Sequence, residues 1–332
     1  MSASTIAQVV RSLPRSDSPN VLVGAEHFAD AGVYRVRPDL ALVQTTDFFS
    51  PIVDDPADFG RVAAANALSD VYAMGGAPAT AMNLVLFPDQ ELPLEVLEAI
   101  LHGAAVTIQA AGASIVGGHS VRSAEIVFGL ALTGLVDPAR MLTNAAAQPG
   151  QAIVLTKGLG SGIAATANRA ERCPEPVMAA ALNTMMALND VAAAGAVELG
   201  ATAATDITGF GLAVHASEVA RASNVRLHLH AAALPRIPGI DALATPEQRS
   251  RASGTNRGAS EGLVHLDDDV GAVSQELIFD PQTSGGLLVC LPDDAAETLV
   301  TRCRDAGHEA AVVGDVQAAG DGGPSVTIAA GR

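Results

Sequence analysis

The chain has 332 residues, 49% of them hydrophobic, which is enough for two packed domains and unlike the composition of a disordered protein. Its formal net charge of −17, without any cluster of lysine or arginine, argues against a nucleic-acid partner. An enzyme for anionic nucleotides would then need metal ions at its site. The three cysteines are too scattered for a disulfide framework, and we find neither a secretory leader nor a run of about 18 apolar residues. We therefore expect a cytoplasmic protein that does not enter a membrane.

Strand-like and helix-like segments alternate along the chain, which predicts an α/β (α+β) fold. The first clear strand covers residues 39–49, and the clearest helix of the sequence follows over residues 55–75. Asp54, Asp55 and Asp58 lie at the start of this helix, where free N–H groups and the helix dipole favour acidic side chains. We therefore interpret these three acids as helix-start residues. Further strands are predicted over residues 79–88 and 125–136, with a helix over residues 93–112.

A glycine motif, "VGGHS", lies at the end of a predicted strand that begins at residue 113. The strand is expected to run into a glycine turn, where backbone N–H groups approach phosphate oxygens closely and a histidine or serine can donate hydrogen bonds. Glycine pairs also form ordinary turns, so this motif alone is a weak indication of a phosphate site. The residues of the predicted turn are Gly117, Gly118, His119 and Ser120.

The pattern restarts at Pro149-Gly150, and we place a domain boundary there, between residues 1–147 and residues 148–332. The second half is predicted to contain a strand, long helices, a helix over residues 209–223 and a strand over residues 284–292. The turn "GLGSG" follows Lys157, the only lysine of the chain, and matches neither the P-loop nor the dinucleotide-binding spacing. We interpret it as a structural turn.

Acidic residues outside the helix start are the candidates for metal chemistry. Asp70 lies in the middle of the helix over residues 55–75, four residues after Asn66, so both polar side chains share one face and need partners. A hard cation such as Mg²⁺, bound by carboxylates and substrate phosphates, would supply one, whereas the alternative is that Asp70 caps a loop. Asp47 at the end of its strand and Asp206 in "TDITGFG" are further candidates, as is Asp30 in "EHFADAGVY".

Other side chains have simpler interpretations. His215 is expected to be a packed or surface histidine, and the cysteines are expected to be buried and inert.

The stretch over residues 45–84, together with "VGGHS", "TDITGFG" and "DPQTSGGLL", resembles the selenophosphate synthetase (selenide, water dikinase) family. That family belongs to a larger group of ATP-using enzymes that includes aminoimidazole ribonucleotide synthetase. The resemblance extends from about Asn20 to the C-terminus. It implies two α/β domains, the first of which pairs in a homodimer to build a β-barrel-like core with ATP near the interface.

The same resemblance implies a reaction in which ATP, selenide and water give selenophosphate, AMP and orthophosphate, with selenide free or supplied by a delivering protein. Mg²⁺ is the implied cofactor and ATP a substrate. By motif position, the implied Mg²⁺ ligands are Asp30, Asp70 and Asp206, and Asp47 lies beside the phosphates. The implied nucleotide pocket includes Asn66, Gly117, Gly118, His119 and Ser120.

One departure concerns the catalytic residues. The family carries an N-terminal glycine-rich loop with a cysteine or selenocysteine, followed three residues later by a lysine. The first cysteine here is Cys173 and the only lysine is Lys157, so the catalytic residues are unassigned. One explanation is truncation, for example by a misread selenocysteine codon, and the other is a paralogue that binds ATP without making selenophosphate.

The intact acids favour truncation, and we expect the chain alone to bind Mg-ATP but to turn over selenide poorly. Another ATP enzyme of the superfamily, such as a thiamine-monophosphate kinase or an aminoimidazole-ribonucleotide-type ligase, is a further alternative. The sequence motif "DFFSPIVDDP" argues against this alternative.

Overall fold

The computed structural model describes Val10 and residues 17–24, 29–320 and 322–331. The strands in these residues are β1 (Val21–Val23), β2 (Gly32–Arg37), β3 (Leu40–Phe49), β4 (Ala77–Phe87), β5 (Ser114–Arg122), β6 (Val127–Val136), β7 (Gln151–Leu155), β8 (Ala203–Asp206), β9 (Val225–His230), β10 (Val264–Leu266), β11 (Leu287–Pro292), β12 (Ala311–Ala318) and β13 (Val326–Ala329). The helices are α1 (Pro56–Ala73), α2 (Leu94–Ala110), α3 (Ser161–Arg169), α4 (Glu175–Met186), α5 (Asp190–Glu198), α6 (Gly211–Ala222), α7 (Arg251–Ala259), α8 (Ala272–Phe279) and α9 (Asp293–Asp305). Short 3₁₀ turns cover Ala231–Ala233, Ile240–Ala242 and Pro246–Gln248.

The first sheet has the strand order β1-β2-β3-β6-β4-β5, and its neighbours are antiparallel except for the parallel pair β4 and β5. In β3, Ala41 and Val43 are buried beneath α1, whereas Phe48 faces the opposite way and is 55% exposed. This alternation follows from the period of two in a strand. The first sheet is therefore packed on one face and open on the other, and we call the open side the outer face.

Helix α1 begins and ends as its sequence predicts. The Asp55 carboxylate accepts a hydrogen bond from the Asp58 backbone N–H at 2.9 Å, and the chain leaves the helix through Gly75, whose φ is +69°. A Cβ atom on Gly60 would lie 2.0 Å from the Ile100 carbonyl oxygen, so glycine is required where α1 meets α2. Small residues thus bring α1 close to its neighbours, and it forms the centre of the first core.

The second sheet has the order β10-β13-β9-β12-β7-β11-β8 and is covered on both faces. Val154 and Val289 point into a core shared with α1, α5 and α9, whereas Ile153 and Leu288 point into a separate core beneath α6. Continuous apolar strands such as β7 are typical of a sheet buried on both sides. The shared core holds the two sheets together and brings the edge strand β8 next to α1.

Two predicted features differ from the structure. The strand at residue 114 does not enter a turn: β5 continues through the glycines to Arg122 and pairs in parallel with β4. Gly117, with φ of +155°, lies where the register with β4 shifts, so the glycine accommodates an irregularity instead of ending the strand. The predicted long helices are the two shorter helices α4 and α5, which are separated at residues 187–189.

None of the helices in the described part of the chain is by itself long and apolar enough to cross a membrane. Helices α4 and α5 reach the necessary length and composition only as a pair, and their axes differ by 51°.

Candidate functional site

Four aspartates from distant segments meet where the two sheets join. Asp47 comes from β3, Asp70 from α1, Asp206 from the end of β8, and Asp30 from the segment before β2. Asp70 and Asp206 are buried, and the Asp30 carboxylate accepts a hydrogen bond from the Thr205 hydroxyl at 2.8 Å. We call these four residues the aspartate cluster. The structure thus brings together all the acids that the sequence singled out for metal chemistry.

Burial and neighbouring carboxyl groups raise the pKa of three members of the aspartate cluster, Asp30, Asp47 and Asp70. Burial is the largest cause for Asp30 and raises its pKa well above 3.8, and the charge of Asp206 adds to the effect. Burial likewise raises the pKa of Asp70 well above 3.8, with further contributions from the charges of Asp206, Asp47 and Asp30. Burial and the charge of Asp206 raise the pKa of Asp47 to about 6. The cluster therefore concentrates acidic groups whose hydrogen-bond partners carry no compensating charge.

The hydrogen bonds within the cluster leave carboxylate oxygens open. Thr45 donates its hydroxyl hydrogen to Asp70, and the side-chain amide of Asn66 donates to Asp47 at 2.6 Å. One buried oxygen each of Asp30 and Asp206 has no hydrogen-bond partner among the described residues. Unpaired buried carboxylate oxygens are costly, and hard cations bind this type of ligand. The donor set fits Mg²⁺.

Asn66 and Asp70, which share one face of α1 as predicted, have different partners. The Asn66 side-chain oxygen accepts a hydrogen bond from the Ser284 backbone N–H at 2.9 Å, while its amide nitrogen binds Asp47. Asn66 therefore connects the second domain to the cluster. The alternative that Asp70 caps a loop is wrong, since Asp70 lies inside α1 and accepts a hydrogen bond from the hydroxyl of Thr45 on β3.

A buried lysine supports this connection, and sequence reasoning did not assign it a role. The Lys157 ammonium donates to the carbonyl oxygens of Ala187 at 2.6 Å and Ser284 at 3.0 Å. Burial lowers the pKa of Lys157 to about 7, although the charges of Asp206 and Asp190 partly oppose the shift. The sequence feature that could have pointed to a role for Lys157 is that it is the only lysine of the chain.

The loop that contains Ser284 approaches neighbouring backbone so closely that only glycine fits. A Cβ atom on Gly285 would lie 2.1 Å from the Ile207 carbonyl oxygen, and one on Gly286 would lie 2.4 Å from the backbone nitrogen of Lys157. The Asn189 amide donates to the Gly285 carbonyl oxygen and to the Ser69 hydroxyl, both at 2.8 Å. These bonds join the loop to α1 and hold the domain junction.

The "GLGSG" turn leads into α3, and protein groups already occupy the N-terminus of that helix. The Gln282 side-chain oxygen accepts hydrogen bonds from the backbone N–H groups of Gly160 at 3.0 Å and Ser161 at 3.1 Å. The Asp280 carboxylate accepts from the next two N–H groups, each at 3.1 Å, and burial raises its pKa to about 7. The turn therefore has the structural role that the sequence predicted.

The glycine motif of β5 lies apart from the aspartate cluster. Asp47, Leu130, Asn83 and Gly118 occupy one row across the first sheet, because each pairs with the next in register. Gly118 is thus three strand spacings, about 14 Å, from Asp47. The residues of the motif, Gly117, Gly118, His119 and Ser120, are exposed at the sheet edge.

Two of the three acids at the start of α1, Asp55 and Asp58, have local partners, as predicted. Asp55 caps the helix, and Asp58 forms an ion pair with Arg61 at 2.6 Å. The Asp54 carboxylate instead accepts a hydrogen bond from the side-chain amide of Asn168 on α3 at 3.4 Å, so it contributes to the domain junction.

His215 is buried, as expected for a packed histidine, and lies 3.4 Å from Glu218. Burial lowers the pKa of His215. The hydrogen bond and charge of Glu218, together with the charges of Asp206 and Asp30, outweigh burial and raise the pKa overall. Cys290 and Cys303 are buried as predicted. The prediction is wrong for Cys173, which is only partly buried because it lies in the connection between α3 and α4.

Comparison with known proteins gives two family matches. The model described as AIR synthase related protein, N-terminal domain, matches residues 28–136, and the corresponding C-terminal domain matches residues 148–327. Selenide, water dikinase of Citrifermentans bemidjiense is 47% identical over 323 residues, which cover 97% of this chain and 93% of the relative. The protein of the same name from Burkholderia pseudomallei is 45% identical over 307 residues, or 92% of this chain and 87% of the relative.

Solved structures of low identity share the fold. A thiamine-monophosphate kinase from Stenotrophomonas maltophilia has a TM-score of 0.68 at 19% identity and covers 98% of this chain and 94% of that structure. The hydrogenase maturation protein HypE in complex with ATP has a TM-score of 0.62 at 21% identity, with 91% and 82% covered. These likenesses, with the two family matches, confirm the predicted two-domain α/β (α+β) fold of the aminoimidazole ribonucleotide synthetase type.

Proposed function

Since the chain belongs to the selenide, water dikinase family of AIR synthase related proteins, we propose that it uses ATP and water to convert selenide into selenophosphate, releasing AMP and orthophosphate. The observation that carries this proposal to particular residues is the aspartate cluster. Burial and neighbouring charge raise the pKa of three of its carboxyl groups, and all four acids come from segments that the family resemblance also singled out.

We propose that Asp30, Asp70 and Asp206 hold Mg²⁺ and that Asp47 lies beside the ATP phosphates. The open oxygens of Asp30 and Asp206 support the assignment, since carboxylates that lack hydrogen-bond donors are suited to a hard cation. Bound Mg²⁺ supplies charge neutralisation for the phosphate groups. The protein's own contribution is to keep these carboxylates in position: Thr45 orients Asp70, and Asn66 orients Asp47.

The nucleotide pocket is proposed to extend from Asn66 and Asp47 along the first sheet to the glycine motif of β5, Gly117, Gly118, His119 and Ser120. Register supports this extension, because Gly118 shares a row with Asp47.

We propose that the protein forms a homodimer through the outer face of the first sheet. Apolar side chains on this face are exposed to an unusual degree: Tyr34 (44%), Val36 (55%), Phe48 (55%), Met82 (46%) and Leu135 (40%). A contiguous apolar surface of this kind is typical of a protein–protein interface. A second copy of the sheet, placed face to face, would cover it and build the expected barrel-like core.

We also propose that residues 1–147 form the metal-binding and dimerisation domain and residues 148–332 the second domain. The last strand of the first sheet ends at Val136, and the first strand of the second sheet begins at Gln151, in agreement with this division. A cytoplasmic location is the further proposal that goes with these substrates.

The function can be tested with the full chain, ATP, Mg²⁺ and selenide under anaerobic conditions, with products followed by ³¹P NMR. We expect selenide-dependent formation of AMP and selenophosphate, even at a low rate, that is lost in Asp70→Asn. The matched control, Asp58→Asn, changes an acid of the same helix that lies outside the cluster and should keep the activity. Thiamine monophosphate should not replace selenide.

Two results would overturn the proposal in different ways. ATP cleavage that thiamine monophosphate stimulates and selenide does not would indicate a kinase of the same fold. Tight binding of Mg-ATP, with no cleavage under any of these conditions, would indicate a nucleotide-binding protein without this activity.

A further inference from the structure

The second sheet carries two histidines on one face of β9. Buried Val225, Leu227 and Leu229 alternate with half-buried Arg226, His228 and His230, so both imidazoles point away from the core beneath α6. The neighbouring strand β12 places an aspartate beside them, since Asp315 is directly opposite His228 in the antiparallel register. Strand alternation and strand pairing together therefore gather two imidazoles and one carboxylate.

We propose that His228, His230 and Asp315 bind a divalent transition-metal ion of the zinc class. One ligand atom from each residue lies within 4.8 Å of the other two, and the histidine rings are perpendicular with centroids 4.9 Å apart. Two imidazole nitrogens and a carboxylate oxygen, each about 2.0–2.2 Å from the ion, are a typical zinc donor set. Binding would therefore draw the three ligand atoms closer together than they are in this structure.

Hydrogen bonds outside the proposed ligands orient two of them. His228 Nδ1 lies 2.9 Å from the hydroxyl oxygen of Thr327 on β13, and donation from Nδ1–H leaves Nε2 with a free lone pair for the metal. The Gln317 amide donates to Oδ2 of Asp315 at 3.0 Å, which leaves Oδ1 available. Such bonds fix the tautomer of a metal-binding histidine and the orientation of a metal-binding carboxylate.

A cleft beside His230 leaves space for a further ligand. A cleft of about 560 Å³ is lined by His230, Ala232, Ala233 and Gly331. Three protein ligands with one open position can accept a water molecule or an exogenous group. The ion would also join β9 to β12 and so stabilise the second sheet.

This site is independent of the aspartate cluster. Strand β9 is four positions from β8 in the sheet, about 19 Å, and β8 carries Asp206. The two sites also differ in chemistry, because the aspartates offer only oxygen ligands, which Mg²⁺ prefers, whereas imidazole nitrogens select zinc-class ions. Excess Mg²⁺ can therefore occupy the aspartates while Zn²⁺ is measured at the histidines.

The test is equilibrium dialysis of the metal-free full chain against Zn²⁺ in excess Mg²⁺. Compared with wild type, His230→Ala should bind one Zn²⁺ fewer per chain. The matched control is His265→Ala, because His265 lies in the same sheet and is 3.4 Å from Asp267 but has no second histidine in its group. This control should bind as much Zn²⁺ as wild type.

A milder variant guards against loss of folding. Thr327→Val keeps the shape of its side chain but removes the partner of His228, and should weaken Zn²⁺ binding by about 10- to 100-fold. Equal Zn²⁺ stoichiometry in wild type and His230→Ala, or unchanged affinity in Thr327→Val, would overturn the proposal. ATP cleavage should be the same in wild type and His230→Ala, so failure here is separate from failure of the proposed function.

Discussion

Glu276 and the aspartate cluster differ in whether the protein itself supplies the positive charge that neutralises a buried acid. Glu276 on α8 is 5% exposed and is held by the guanidinium groups of Arg249, at 2.6 Å, and Arg257, at 3.3 Å. The hydrogen bond from Arg249 lowers the pKa of Glu276 despite its burial. In the aspartate cluster, burial and mutual repulsion raise the pKa of Asp30, Asp47 and Asp70.

The difference shows where the balancing charge comes from. Around Glu276 the protein itself supplies the cations, so the acid is a structural element. Around the aspartate cluster the hydrogen-bond partners Thr45, Thr205 and Asn66 are neutral, and they orient the carboxyl groups without neutralising them. The charge of His215 offsets the rise in the pKa of Asp30 only in part. Buried charge of this kind needs a cation from solution. The contrast therefore separates a structural ion pair from a binding site.

The largest expected effect comes from removing one cluster acid. Asp70→Asn should lower selenide-dependent ATP cleavage about 100- to 1000-fold, equivalent to about 3–4 kcal/mol of transition-state stabilisation, because a Mg²⁺ ligand loses its charge. Steady-state assay of AMP release would measure it. Asp58→Asn is the control, and similar losses in both variants would mean that acidity of α1 in general, and not the cluster, matters.

The opposite variant removes an acid that the protein neutralises itself. Glu276→Gln should lower the free energy of unfolding by about 1–2 kcal/mol, since it leaves the partly exposed Arg249 and Arg257 without their anionic partner. Urea unfolding followed by circular dichroism would measure this, with Mg²⁺ absent and present. A stability equal to wild type would show that solvent, and not Glu276, balances these arginines.

The raised pKa of Asp47 predicts a pH dependence confined to the metal-free protein. Because its folded-state pKa of about 6 exceeds the ordinary 3.8, the stabilisation is complete below pH 4 and is lost as pH rises to 6. Allowing for partial solvent exposure, wild type should lose about 2 kcal/mol more than Asp47→Asn over this interval. Chemical unfolding at several pH values in chelator would measure the difference, and parallel curves for the two proteins would contradict it.

The smallest expected effect is a gain in stability of the metal-free protein. In the absence of Mg²⁺, Asp70→Asn should raise the free energy of unfolding at pH 7 by about 1 kcal/mol, because it relieves repulsion and its amide oxygen can still accept the Thr45 hydroxyl hydrogen. The same urea experiment with chelator measures it. Destabilisation by this variant would indicate that Asp70 is balanced within the protein, as Glu276 is.

Local signals predicted much of the fold. Helix α1, its cap at Asp55 and the structural role of "GLGSG" followed from the residues alone, because caps and turns depend on neighbours in sequence. The turn expected at Gly117 was wrong because pairing with β4 extends the strand, and pairing between distant segments has no local signal.

The site divides in the same way. The acids were identified by residue type and family resemblance, but their meeting depends on packing that joins Asp30 to Thr205, 175 positions apart. The roles of Lys157 and Ser284 were missed because each depends on a contact between segments far apart in sequence: Lys157 donates to Ser284 within the second domain, and Ser284 donates to Asn66 of the first. For β9 the sequence analysis made no prediction, and the position of Asp315 beside its histidines depends on strand pairing between distant segments.

The most direct test of the central claim, that the aspartate cluster is a cation site, is anomalous diffraction from crystals grown with Mn²⁺, as a Mg²⁺ substitute, and a non-hydrolysable ATP analogue. We expect anomalous peaks about 2.2 Å from carboxylate oxygens of Asp30, Asp70 and Asp206. Occupied nucleotide with no peak at these carboxylates would contradict the claim and leave the cluster as a group of protonated, structural acids.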